Sequence, residues 1–239
     1  MSELVALLDV QRIDNAIDQL QFTHENLPER SAIAEIDAEL ASLNSKSAET
    51  EAERDELRRQ ERDFETQSND VADKAAGLSE KLYGGLVTSP KEASAMSEEI
   101  ANLKERESSL QDQALELLVE LEPLDEALVE AEALRGQLEA KRAEQGESLT
   151  RKAADLESEI ADRETERATA AAALDDSLLE QYRKMRITYG GDAVVEFDPA
   201  HHGGCPVAMP AVELDRWKHL PAGTLEPCED CGRLIAKLV

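Results

Sequence analysis

Leu82-Tyr83-Gly84-Gly85-Leu86-Val87-Thr88-Ser89-Pro90-Lys91-Glu92 decides the fold. The two glycines suit the left-handed backbone that caps a helix C-terminus. Ser89, Pro90 and Glu92 then stand at the N-cap, first and third positions of a new helix. In that capping box, Ser89 and Glu92 each satisfy an orphan backbone N–H. About six residues between two helices force them to run antiparallel.

Both flanks read in heptads. Before the turn, Ile33, Ile36, Leu40, Leu43, Leu57, Phe64, Val71, Ala75, Leu78 and Leu82 recur at steps of three and four. After it come Met96, Ile100, Leu103, Leu110, Ala114, Leu117, Leu121, Leu124, Leu128, Ala131 and Leu138. Six or seven heptads on each side predict a long antiparallel coiled-coil hairpin. The pairs Leu78/Met96, Val71/Leu103, Phe64/Leu110 and Leu57/Leu117 each add to 174, an uninterrupted register. About 80 residues of helix would extend roughly 120 Å. Ser47, Arg54, Glu61 and Ser68 weaken one seam. Arg54 and Glu61 read as local loosening or register control, with a partner groove there as the alternative. Pro28 interrupts the first arm, and the phase of Val10, Ile13, Ile17 and Leu20 does not continue into Ile33. Pro123 should kink the second arm, and the phase slips again near Gly146.

Composition agrees with this reading. The chain has 239 residues, 53 acidic and 26 basic, with a formal charge of −27. Seven aromatic residues are too few for one large globular core. The acidity disfavours nonspecific binding to nucleic acid or anionic membrane. No apolar run reaches about 18 residues, so no transmembrane helix is expected. The acidic N-terminus is unlike a secretory signal. Three cysteines, all in the last 35 residues, fit a reduced cytoplasm and metal binding better than a disulfide framework.

Turn residues concentrate after Ile187, which places a domain boundary between 1–186 and 187–239. Six of eleven Gly, five of eight Pro and three of four His lie in residues 190–239. Ala193 to Phe197 reads as a strand, Pro210 to His219 as a short helix or turn, and Gly232-Arg233-Leu234 as the approach to a terminal strand. Cys228-x-x-Cys231 followed by Gly232 has the form of a zinc knuckle, in which two thiolates reach one tetrahedral ion. A second pair is needed. Ala208 excludes a pair running forward from Cys205, whereas His202-Gly203-Gly204-Cys205 has the right spacing running backward. His202, Cys205, Cys228 and Cys231 together form a Cys3His set for one structural zinc ion. Three alternatives stay open: His201, His219 or water as fourth ligand, Cys228/Cys231 as free thiols or a redox pair, and a site that has lost zinc altogether.

The hairpin-tip motif, with Glu98-Glu99-Ile100-Ala101-Asn102-Leu103-Lys104 after it, and the ribbon motif together resemble a bacterial family. That family joins a coiled coil to a C-terminal four-cysteine zinc ribbon and is described as nucleic-acid-binding. It includes flagellar and sigma-54-associated chaperone-like proteins. Here His202 replaces the first cysteine of the family's CGGC pair. The resemblance implies a mainly α fold: an elongated helical hairpin, its tip near 83–90, with a small β zinc ribbon at the opposite end. It also implies interaction with protein or nucleic acid rather than catalysis.

The expected function is therefore that of a cytoplasmic, non-enzymatic adaptor or chaperone-like protein, a monomer or weak dimer. Tyr83, Leu86 and Val87 at the tip and Trp217 on the ribbon are the candidate anchors, although the tip residues could instead close the hairpin core. Binding of RNA or DNA through the ribbon is the alternative. Residues 187–239 carry eight acidic and four basic side chains, and the nearest basic patch is Arg183, Lys184 and Arg186. No nucleophile motif or phosphate loop points to an enzyme.

Overall fold

The computed structural model describes residues 3–85, 87–198 and 209–239. Four helices come first: α1 (Glu3–Glu25), α2 (Pro28–Tyr83), α3 (Pro90–Ala171) and α4 (Asp176–Tyr189). They are followed by β1 (Val194–Glu196), α5 (Ala211–His219), β2 (Leu225–Pro227) and β3 (Leu234–Ala236). The chain is mainly helical, with a long helical hairpin and a small C-terminal sheet.

The turn deciphered from sequence stands where expected. α2 ends at Tyr83, Gly84 N–H donates to the Glu80 carbonyl (2.8 Å), and Gly85 takes φ 77°. Pro90 opens α3, and Ala93 N–H donates back to the Ser89 carbonyl (3.0 Å). α3 is 82 residues long and continues through Pro123. One lost backbone bond is affordable in a helix held along its length by a neighbour.

The chain divides into two compact units. One is Ala32–Gln145; the other joins Met1–Ser31 to Gly146–Val239. The dividing points are the two places where the heptad phase slips, after Pro28 and at Gly146. The change in composition near residue 187 marks a different feature, the end of the first four helices.

In the unit Ala32–Gln145, the buried seam is Val71, Ala75, Ile100, Leu110, Ala114, Leu121 and Leu138, with Ser47 and Ser68 buried among them. The register differs from the 174 pairing. Arg142 bonds Asp37 and Arg135 bonds Asn44 across the hairpin, and each pair adds to 179. Ser68 lies against Gln111 and Ala114, where the 174 pairing would set it against Arg106. Two heptad helices satisfy their seams equally well when slid by three or four residues, because that slide only exchanges the two apolar positions. Turn geometry and the cross-hairpin ion pairs make the choice.

The other unit is built around the sheet, whose order is β1-β3-β2. β1 pairs parallel to β3 and β2 antiparallel to it. Alternation splits the sheet residues between two cores. Val194, Leu234 and Ala236 pack with Leu4, Leu7 and Val10 of α1 and with Leu179 and Tyr182 of α4. Val195, Phe197 and Ile235 pack with Met209, Trp217 and Cys228. α1 is therefore a wall of the C-terminal core, which explains why its apolar phase does not continue into the coiled coil.

Candidate metal centre and interaction surfaces

The two-cysteine loop is the turn of the β2–β3 hairpin. Cys228 N–H donates to the Arg233 carbonyl (2.7 Å) and Gly232 N–H to the Cys228 carbonyl (2.8 Å). Gly232 takes φ 74°, a left-handed conformation that costs an L-residue roughly 1–2 kcal/mol. It is also walled in. A Cβ at Gly232 would fall inside van der Waals contact with the Tyr189 hydroxyl at the end of α4. Arg233 reinforces the same junction. Its guanidinium lies 5.2 Å from the Tyr189 ring centroid and its Nε donates to the Asp192 carbonyl (2.8 Å).

Cys228 is buried in the Trp217 core, and Cys231 packs at its edge. Two thiols two residues apart on a closed turn match half the shell of one tetrahedral ion. His202 and Cys205 lie outside the described residues, as does His201. Among the described residues, no three His, Cys, Asp or Glu side chains gather into a further cluster. His219 sits exposed on α5, its Nδ1 2.8 Å from the Asp215 carbonyl.

Trp217, proposed from sequence as an exposed anchor, is a core residue at 1 % exposure. Its ring stacks on Phe197 at 5.5 Å and its indole N–H donates to Glu213 (3.0 Å). Arg216 holds the Glu213 carboxyl below the usual carboxylate range, burial opposes that shift, and the indole bond adds to it. The α5 C-terminus is closed by a buried lysine. Lys237 Nζ donates to the carbonyls of Trp217 (3.0 Å), Lys218 (2.8 Å) and Leu220 (2.6 Å). A cation at a helix C-terminus also complements the helix dipole.

The basic patch is divided in the structure. Arg183 is exposed. Lys184 pairs with Glu180 at 2.8 Å on the surface. Arg186 is turned inward: it donates to Asn15 (2.7 Å) and Asp18 (2.5 Å) of α1 and lies 4.0 Å from buried Asp14. Asp14 also accepts from Arg167 and from the Tyr182 hydroxyl (2.9 Å). Burial first, and then this bond to Asp14, pushes the Tyr182 phenol well above its ordinary value of 10.0. Arg186 thus ties α4 to α1, a role invisible in a Lys/Arg count.

Gln11 was not singled out from sequence and proves structural. Leu234 N–H bonds the Ala193 carbonyl (3.0 Å) and Phe197 N–H the Ala236 carbonyl (2.8 Å). Val194 therefore turns its own N–H and C=O to the outer edge of β1. Gln11 meets both: its Nε2 donates to the Val194 carbonyl and its Oε1 accepts from the Val194 N–H, each at 2.6 Å. One side-chain amide stands in for a missing strand. The signal available in the sequence was a lone glutamine beside Leu7 and Val10 on the apolar face of α1.

At the hairpin turn, Tyr83 is 83 % exposed and Val87 half-buried. Leu86 lies outside the described residues. Tyr83 does not close the hairpin core.

Comparison with known proteins extends this picture. The profile of the CT398-like coiled coil hairpin domain matches residues 10–190. The uncharacterized proteins Rv2229c and MT2288 of two Mycobacterium tuberculosis strains are each 24 % identical over 234 residues, 98 % of this chain and 94 % of theirs. A solved structure from Mycobacterium smegmatis superposes with a TM-score of 0.87 at 20 % identity, over all of both chains. CT398 from Chlamydia trachomatis gives 0.69 at 18 % identity, covering 98 % of this chain and 97 % of its own. HP0958 from Helicobacter pylori gives 0.52 at 17 %, with the same coverage. No helix among the described residues is long and apolar enough to cross a membrane. The capped turn at Tyr83–Pro90, the two heptad helices it joins and the profile match over residues 10–190 lead to one conclusion: the chain belongs to the CT398-like coiled coil hairpin domain family.

Proposed function

We propose that the protein is a non-enzymatic adaptor or chaperone-like protein that recruits protein partners through its hairpin turn. The observation that carries this reading is Tyr83. In a chain with seven aromatic residues, one stands 83 % exposed at a glycine-capped turn between two long helices. An exposed aromatic on a rigid support loses little entropy on binding, and such residues dominate interface energetics. Val87 is the second anchor beside it.

In the same reading, the C-terminal unit is a zinc ribbon. One structural zinc ion would be held by Cys228 and Cys231 on the β2–β3 turn, with His202 and Cys205 as the other pair. Support comes from the closed Cys228–Gly232 turn and from the small size of its three-residue strands, which a metal staple would hold together. The zinc supplies folding energy, with no open position for chemistry.

The test is affinity capture from the native cell with the wild-type chain and with Tyr83→Ser, read by mass spectrometry, with metal content measured on the same preparations. The expected result is at least one protein enriched by wild type and lost from Tyr83→Ser, both chains holding about one zinc. Equal capture by both chains would refute the turn as the recognition element. Unchanged zinc in Cys228→Ser would refute the metal site.

A further inference from the structure

Within the unit Ala32–Gln145, α3 carries a second apolar stripe besides the one buried against α2. Leu115, Leu118, Val119 and Val129 are 59, 46, 70 and 70 % exposed. At 100° per residue, these four fall within an arc of about 100°, the width of a helix face that packs on another helix. Single exposed apolar residues are ordinary; four on one face are a pattern. Beside them, a groove of about 420 Å3 opens between the helices, bounded by Glu65 and Ser68 of α2 and by Gln111, Ala114, Leu115 and Leu118 of α3. Two of its residues, Ser68 and Ala114, are small and leave the space that a larger seam residue would fill.

The charge around the stripe identifies its occupant. From Glu107 to Leu134 the sequence has nine acidic residues and no basic one. On this face Glu122 and Glu126 lie on the midline between Val119 and Val129, and Asp112 and Glu130 lie at its edge. Across the groove, α2 supplies Glu65, with Arg62 one turn before it. Its arginines nearby are partly engaged: Arg54 and Arg58 pair with Asp55 and Asp125, and Arg59 pairs with Glu56. A second copy of this chain would bring the same carboxylates face to face, which costs free energy. A nucleic acid would meet the same repulsion.

We propose that this stripe docks a basic amphipathic helix of a partner protein. Leucine-type residues of the partner would lie on Leu115, Leu118, Val119 and Val129, and its Lys or Arg side chains would meet Glu122 and Glu126 between them and Asp112 and Glu130 at the edge. From Leu115 to Val129 the stripe runs about 21 Å, which fits a partner helix of about four turns. This is a helix-on-helix mode of recognition, and it uses neither the hairpin turn nor the cysteine loop.

The test uses the full chain and a fluorescent 18-residue peptide with a leucine stripe flanked by lysine. Fluorescence anisotropy at physiological salt reads its affinity. The double substitution Leu115→Ser with Leu118→Ser should weaken binding at least tenfold, and Val119→Ser with Val129→Ser should do the same. Both pairs are exposed, so helicity measured by circular dichroism should not change. A peptide of the same composition with its leucines scattered around the helix should bind at least tenfold more weakly than the amphipathic one. Equal binding by wild type and both double variants would overturn the proposal, since charge alone would then hold the peptide. Sedimentation showing a dimer abolished by these same substitutions would also overturn it, by assigning the stripe to a second copy.

Discussion

Gln11→Ala should destabilise the C-terminal core while leaving the coiled-coil unit intact. The wild-type amide makes two bonds of 2.6 Å to Val194, a residue only 1 % exposed. Alanine leaves one N–H and one C=O of β1 buried without a partner. Each such group costs about 1–3 kcal/mol, so the total is about 2–6 kcal/mol, before any loss from the cavity. Trp217 is the only tryptophan and lies in this unit, so its fluorescence in a urea titration follows the right transition. With a denaturant slope of about 2 kcal/mol/M, the midpoint should fall by roughly 1–3 M. Far-UV circular dichroism, dominated by α2 and α3, should keep most of its signal through that early transition. Gln11→Glu sharpens the test. It keeps an acceptor for Val194 N–H but sets a carboxylate oxygen against the Val194 carbonyl, so it should be no more stable than alanine. A Trp217 midpoint unchanged in Gln11→Ala would refute the account of β1 as a strand edge closed by one side chain.

Gly232→Ala should cost at least about 1–2 kcal/mol from backbone strain alone, with a further loss from the clash with the Tyr189 hydroxyl. Adding Tyr189→Phe should recover the steric part and leave the strain, which a double-mutant cycle in urea measures directly. Alkaline pH should weaken the same unit through Tyr182. Its phenol titrates higher in the folded state than its ordinary 10.0, so the folded chain holds the proton more tightly. That stability is fully present below pH 10 and is lost as pH rises toward the folded value. Tyr182→Phe should lower the baseline by loss of the Asp14 bond but flatten this alkaline decline, measured as the Trp217 urea midpoint between pH 8 and about 11.

The local signals read well. Caps and turn residues act over a few positions, so Gly84-Gly85 and Ser89-Pro90 placed the hairpin turn, and heptads placed two long helices on either side. Strand and turn patterns located β1, α5 and the Cys228–Gly232 turn for the same reason. The phase slips at Pro28 and Gly146 were also visible, although their meaning, a division between two compact units, was not. Trp217 was misjudged because sequence gives its size and not its depth. Arg186 was misjudged because a charge in a basic cluster carries no mark of whether it faces water or Asp14.

By itself, the sequence determined that this chain forms a capped pair of heptad helices followed by a small turn-rich segment with paired cysteines. Tertiary structure alone decided the register between α2 and α3, since a seven-residue period is satisfied by more than one alignment. It alone decided that α1 belongs to the C-terminal core. An amphipathic face records that a helix must be covered, whereas the identity of its cover depends on which surfaces, 183 residues apart in the chain for Gln11 and Val194, fit each other's shape and unmade hydrogen bonds.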